Sequence, residues 1–378
     1  MADFINVIPI PDALVAPLRS LLRGEESVWP EGEHDEARFL TAVGEHSVAP
    51  LLHSRMSLAR HWPDRVRAAL RIEAVRAAVV EPFRLADLHA LIEAFAANGI
   101  DVLIVKGSAL AYSLYPSPEL RPRGDTDLFI DDAQRQAALD LLNELGYAEQ
   151  ITSGDELAMR QVTFLRADAR GFEHAYDVHW AIANTPVFAE VLRFEELRER
   201  AVPLPRVSPA ARTISDVDAL LYACIHRVAH HHDSDRLIWL ADIALLRARM
   251  SPDEHSRFWR LAAERRVVGV CIRSLERAAE WFGGPGVAPG DYLDAATLAQ
   301  PERTRKFLNR RRRLAAVLAA DLAALGGWRA RAQRLRQLAF PSAAFMRAQF
   351  GTRSPIALPW LYAYRMARGV ARLFRRLS

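Results

Sequence analysis

The segment from Ile104 to Ile130, IVKGSALAYSLYPSPELRPRGDTDLFI, constrains this chain more than any other. It reads as a hydrophobic strand over Val102 to Val105, then a Lys106-Gly107-Ser108 turn that opens a short helix. A proline-rich loop comes next, and then a second strand carrying Asp125 and Asp127 on either side of Thr126. Successive strand side chains alternate faces, so both carboxylates are expected on one side of a sheet. Two close carboxylates repel each other, and burying them unpaired is costly. A divalent cation resolves the conflict, and Mg²⁺ is the hard, oxygen-seeking choice. A surface turn fits less well, because the apolar run continues through Phe129 and Ile130 without turn residues.

A third carboxylate is expected at the same place. Ala175 to Trp180 (AYDVHW) reads as another strand, with Asp177 and His179 on one face. Three aspartates on adjacent strands can hold two metal ions ~3.5–4 Å apart, the arrangement used for in-line phosphoryl displacement. Gly107 and Ser108 open a helix, where free backbone N–H groups and the positive dipole end suit phosphate. Lys106, one of two lysines in the chain, precedes them, and Arg121 and Arg123 offer planar guanidiniums for phosphate oxygens. The plainer readings are a lysine at a strand end and two solvated loop arginines. His179 either touches the substrate or is a structural histidine beside Trp180. A phosphate cradle beside metal-binding carboxylates suggests group transfer from a nucleoside triphosphate.

Taken together, Lys106-Gly107-Ser108, Tyr115-Pro116, Arg121, Asp125 and Asp127, Leu145-Gly146-Tyr147 and Asp177-Val178-His179-Trp180 resemble the nucleotidyltransferase superfamily of the polymerase-β type. More narrowly they resemble the bacterial uncharacterised nucleotidyltransferase family, with His226 and Asp242 continuing the pattern over roughly residues 90–280. Thr126 departs from that pattern, where Ile or Leu is usual, but a β-branched residue is acceptable in a strand. The resemblance implies a transferase of the EC 2.7.7 type, using Mg²⁺ or Mn²⁺ and a nucleoside triphosphate as substrate. Asp125, Asp127 and Asp177 would be its catalytic and metal-holding residues, and Lys106, Gly107, Ser108, Arg121, Arg123 and His179 would bind the nucleotide. Its acceptor would be a small molecule, a peptide, a saccharide or tRNA. His226 and Asp242 would pack a helical bundle against the catalytic sheet. The alternatives from other classes are a silent nucleotide-binding or scaffold protein on the same fold, or a membrane-peripheral protein acting in natural-product or saccharide biosynthesis.

The expected fold class is α+β, mostly helical, with a small mixed sheet flanked by helical parts. Residues 1–98 read as an N-terminal helical region, in which Pro82 interrupts a helical run from Val66 to Phe95. Residues 99–206 read as the α/β catalytic part, with helices on one face of its sheet. Residues 207–284 read as a helical bundle, entered through Ser215 as an N-cap. There His226 and His230 stand at i, i+4 and could join Asp242 at a zinc ion, while His230-His231-His232 reads as a frayed helix end. Gly283-Gly284-Pro285-Gly286 then opens a linker, and residues 285–378 hold basic amphipathic helices.

Charge divides along the same line. From 301 to 378 the chain has eighteen Lys and Arg against Glu302 and Asp321, although the whole chain carries only +4. Arg310 to Arg313 are consecutive, and Trp360 to Leu377 alternates apolar and arginine positions. That segment suits an anionic membrane surface or the phosphates of a nucleic acid, or else packs on the bundle with its basic face in water. Cys224 and Cys271 read as buried thiols. With no secretory pattern at Met1 to Ser20 and no apolar run near ~20 residues, the expected location is the cytoplasm, or the inner face of the membrane.

Overall fold

The computed structural model describes residues 7–150, 160–308, 314–341, 343–352 and 354–374. Arg310 to Arg313 and Arg375 to Leu377 lie outside them.

The chain is mostly helical around one mixed sheet. Two short parallel strands, β1 (Ser27–Val28) and β2 (Ala59–Arg60), pair in the N-terminal region. The main sheet has seven strands: β3 (Val102–Val105), β4 (Thr126–Ile130), β5 (Ala148–Gln150), β6 (Gln161–Ala167), β7 (Glu173–His179), β8 (Val202–Pro203) and β9 (Arg212–Thr213). Their order is β5-β6-β7-β4-β3-β9-β8, so β4 lies near the middle. It runs antiparallel to β3 and parallel to β7.

Every residue of β4 is buried, because alternate positions feed two different cores. Leu103, Val105 and Phe129 join the large core shared with the N-terminal helices and the bundle. Ile104, Leu128 and Ile130 join a smaller core with Leu88, Ile92 and Phe95. Helices therefore cover both faces of the sheet, not one as the sequence suggested. A strand buried on both faces reads as a continuous apolar run, which is the character of Leu128 to Ile130.

The helix Asp64–Ala97 is one continuous element of 34 residues with Pro82 inside it. Pro82 was expected either to kink this helix or to divide it, and division does not occur. The residue before the proline, Glu81, is buried and bonded to Tyr112 and Arg123, which fixes the helix where the lost amide bond would weaken it. Val66 and Leu70 pack in the large core and Leu88 to Phe95 in the small one, while Ile72, Val75 and Val79 between them face water.

In the bundle, Ser215 caps Asp216–Ala229 by accepting the Asp218 N–H. The turn after this helix is fixed, not frayed. Arg227 is fully buried and bonds to Asp233, Asp235 Oδ1 at 3.1 Å, the Ser234 carbonyl at 3.2 Å and Ser274 at 3.2 Å. This holds His230 and His231 against the next helix, Leu237–Arg249, where His231 stacks on Trp239 with ring centroids 3.9 Å apart. Cys224 and Cys271 are both buried and free. Among the described residues, no helix is long and apolar enough to cross a membrane.

Candidate functional site

A cavity of about 490 Å³ opens where the sheet meets the bundle. Strand register builds its floor. Asp127 on β4 faces Asp177 on β7, and Val105 on β3 faces Asp127 from the other side. Because side chains two apart share a face, Asp177 brings His179 with it. Ligand atoms of Asp127, Asp177 and His179 all lie within 4.8 Å of one another.

Each floor carboxylate is held. Asp127 Oδ1 accepts from Lys106 Nζ at 2.7 Å and lies 2.8 Å from His179 Nε2. Asp177 accepts from Thr163 Oγ1 at 2.6 Å and from Gln161 Nε2 at 3.4 Å, two residues of the neighbouring strand β6. Lys106 reaches Asp127 because the chain turns immediately after Val105, with Lys106 at φ +53°, to start the helix Lys106–Ser113. A left-handed conformation costs an L-residue about 1–2 kcal/mol, and the ion pair is where it is recovered.

The electrostatics reflect burial and these partners. Burial alone would raise the Asp127 carboxyl, but Lys106 and His179 outweigh it and hold it well below the usual carboxylate range. Burial would lower the Lys106 ammonium, and Asp127 instead holds it above its ordinary value. Burial first, and then the Lys106 charge, lower His179 from its ordinary value, against the opposing pull of Asp127 and Asp177. Asp125 is pushed up to about 6, first by the protein packed around it and then by the charges on Asp127 and Asp177.

Asp125 does not share the strand. It immediately precedes β4, after Gly124, and it meets solvent at the cavity mouth, outside the three-residue cluster. Arg121 lines the cavity, but its guanidinium is engaged. Nε and Nη2 donate to Asp242 at 2.8–3.1 Å, Tyr115 donates to the same carboxylate, and Nη1 donates to the Pro122 carbonyl. Arg123 is paired with Glu81 and also donates to Ser108 Oγ at 3.0 Å. Ser108 is fully buried and bonds Thr126 Oγ1 at 2.8 Å, beneath the cavity rather than in it. Gly107 lines the cavity for a steric reason: a Cβ there would come within 3.1 Å of Arg121 Nη1.

The zinc arrangement considered for His226, His230 and Asp242 is not formed. Asp242 is taken by Arg121 and Tyr115, and the one metal-competent cluster among the described residues is Asp127, Asp177 and His179. His226, His230 and His231 instead line the bundle side of the cavity with Trp239. Burial first, then the Lys106 charge, lowers all three, His231 to about 3, so they are uncharged.

Several residues of the site and its immediate support were not singled out in the sequence. Gln161 and Thr163 lie at i, i+2 opposite His179 and Asp177, so strand alternation alone could have found them. Tyr222 stands one helical turn before His226, with the Lys106 ammonium 5.5 Å from its ring centre. Arg236 donates to the Glu45 carbonyl at 2.8 Å and to Ser47 Oγ at 2.6 Å, contacts nearly 190 residues away that no local motif announces. The Tyr222 hydroxyl and Gln161 Oε1 are buried, lack a protein hydrogen bond and line the cavity. Unsatisfied buried polar atoms are rare, and here they face the space a ligand would fill.

The donor set fits a divalent cation. Two carboxylates (Asp127 and Asp177) meet one ammonium at the floor, with Asp125 at the mouth, because Asp242 and Glu81 occupy Arg121 and Arg123. The residual negative charge and the predominance of carboxylate oxygens suit Mg²⁺ or Mn²⁺.

No curated protein matches the chain significantly. A family model described as uncharacterised nucleotidyltransferase matches residues 32–325, which include the sheet, the cavity and the bundle. The chain belongs to the uncharacterised nucleotidyltransferase family.

Proposed function

We propose that the protein moves a nucleoside monophosphate from a nucleoside triphosphate to an acceptor hydroxyl and releases pyrophosphate, with Mg²⁺ or Mn²⁺ at Asp127 and Asp177. The observation that carries this reading is the register pairing of Asp127 with Asp177 on the cavity floor. When bound, the cation would neutralise phosphate charge and orient the triphosphate. Asp125, at the mouth, is the third oxygen donor. Asp177 accepts the proton of the acceptor hydroxyl as its oxygen bonds to the α-phosphorus and the bond to the β-phosphate oxygen breaks.

With a cation held by Asp127, the Lys106 ammonium would be free to serve the β- and γ-phosphates. Gly107 lets the helix start come close to them. Arg236, bonded to neutral oxygens, adds a guanidinium to the phosphate side. Arg121 and Arg123 act by holding Gly107 and Ser108 in place, and His179 by orienting Asp127. Tyr222 and Gln161 offer their unpaired atoms to the sugar or base. The uncharged histidines and Trp239 make that wall suited to a neutral group. The acceptor belongs to the small-molecule, peptide, saccharide or tRNA classes.

The test uses α-labelled nucleoside triphosphates, a cell extract as the source of acceptor, and a pyrophosphate assay. Asp127→Asn and Asp177→Asn should each lower transfer by on the order of a hundredfold or more. Transfer by either variant at the wild-type rate would refute the assignment. The second reading, a silent nucleotide-binding protein, is favoured by one observation: Lys106 already neutralises Asp127 at 2.7 Å. Calorimetric binding of the Mg²⁺–triphosphate complex without pyrophosphate release across the acceptor classes would establish that reading instead.

A further inference from the structure

The family match ends at residue 325, and the remaining residues are chemically unlike the rest of the molecule. Residues 326–378 contain eleven arginines and no aspartate, glutamate or histidine. Their helices are Trp328–Ala339, Ala343–Phe350 and Leu358–Phe374. Large apolar side chains stand in water there: Trp328 is 74% exposed, Ile356 83% and Trp360 80%, with Leu335, Phe340 and Tyr364 also exposed. Arg329, Arg331, Arg336 and Arg368 are exposed among them, and the Arg329 guanidinium lies 5.6 Å from the Trp328 ring centre.

We propose that the helices Trp328–Ala339 and Leu358–Phe374, with Ile356 before the second, form a surface that docks on anionic lipid bilayers. Exposed tryptophans and aliphatics beside arginines match a bilayer interface, where the rings sit at headgroup depth and the guanidiniums meet lipid phosphates. Two competing occupants fit less well. A nucleic acid would take the arginines and stack on the tryptophans, but it offers nothing apolar to Ile356 or Leu335. A second copy of the chain meeting it through this same surface would bring the same excess of positive charge to the contact. No described helix can span a bilayer, so attachment is to the surface. The acceptor chemistry does not enter this argument, and the proposal stands or falls apart from the transferase reading.

The full chain is floated with phosphatidylcholine vesicles, with and without phosphatidylserine, at low and high salt. It should float with the anionic vesicles at low salt and stay behind with neutral ones. Each arginine near the surface contributes about a fivefold change in partitioning. Arg331→Gln/Arg336→Gln should therefore reduce flotation by about 25-fold. Trp328→Ser/Trp360→Ser should weaken it by at least about tenfold. These side chains are exposed, so neither variant should lower the melting temperature. Failure of the wild type to float with anionic vesicles overturns the proposal, as does flotation that both variants leave intact. Flotation abolished by competing RNA, with RNA binding lost in the arginine variant and the tryptophan variant floating normally, would assign the surface to nucleic acid instead.

Discussion

The cavity region and residues 326–378 handle positive charge in opposite ways. Around the cavity, buried cations are matched: Lys106 with Asp127, Arg121 with Asp242, Arg123 with Glu81, and Arg227 with Asp233 and Asp235. Residues 326–378 have eleven arginines and no acidic residue of their own. The matched pairs also join distant parts of the chain, Arg121 to Asp242 across 121 residues and Arg123 to Glu81 across 42. Burial forces such matching, because an unpaired buried charge is far more costly than an exposed one. The difference lies in where the carboxylates come from: the cavity region supplies its own, whereas residues 326–378 have none and Arg334 acts on Asp321 of the preceding helix.

The strongest way to break this contrast is to remove one member of a matched pair. Asp242→Ala leaves the Arg121 guanidinium buried without its carboxylate and strips Tyr115 of its acceptor. The expected loss is about 3–5 kcal/mol in urea unfolding. Arg121→Met/Asp242→Leu, which removes both charges, should recover most of that stability. It should not recover transfer activity, because the guanidinium that packs against Gly107 is gone. A single variant that loses less than about 1 kcal/mol would show that the pair is not what binds the bundle to the Lys106 helix.

A smaller effect separates the regions by pH. His46 is buried at the end of the helix Glu36–Glu45, where its Nδ1 accepts the Leu237 N–H at 3.1 Å. Burial first, and Arg236 second, lower it from 6.5 to about 4. The unfolded chain therefore takes up a proton between pH 6.5 and 4 that the folded chain refuses. The stability this neutral histidine contributes is present above pH 6.5 and lost as pH falls. Between about pH 7.5 and pH 5 the expected loss is about 2 kcal/mol. His46→Gln keeps an acceptor for Leu237 and should flatten that slope when urea midpoints are compared at the two pH values. Residues 326–378 contain no histidine or acid, so their charge stays constant over the same range.

Legibility of the site divides along a related line. Asp127, Asp177 and His179 were legible because side-chain alternation within a strand is a short-range rule, and β4 and β7 obey it. Asp125 was misplaced by one step: the strand begins at Thr126, so the carboxylate sits at the mouth instead of on the floor. The arginines were harder. Nothing near Arg121 or Arg123 in sequence reveals Asp242 or Glu81, so both looked like free loop cations. The histidine run looked frayed because the Arg227 anchor that fixes it is a buried charge inside an apolar helix face, a pattern that local propensity does not foresee. The helical class and the mixed sheet were legible throughout, since hydrophobic periodicity sets them before any long-range pair forms.

The smallest expected effect has the opposite sign and tests the other half of the contrast. In the helix Trp328–Ala339, Arg331 and Arg334 are three residues apart and therefore neighbours on the helix surface. Asp321 of the preceding helix acts on Arg334, and no ion pair of Arg331 is seen among the described residues, so changing Arg331 to Gln removes repulsion rather than attraction. Like-charge neighbours at this spacing destabilise a helix by about 0.2–0.5 kcal/mol, so Arg331→Gln should raise helical stability by no more than that. The gain should appear in thermal unfolding monitored by circular dichroism at low ionic strength, and vanish at high salt as the charges are screened. A loss of about 1 kcal/mol or more, persisting in salt, would mean that Arg331 has a partner within the fold. Residues 326–378 would then be matched like the cavity, and the case for an anionic partner outside the chain would be withdrawn.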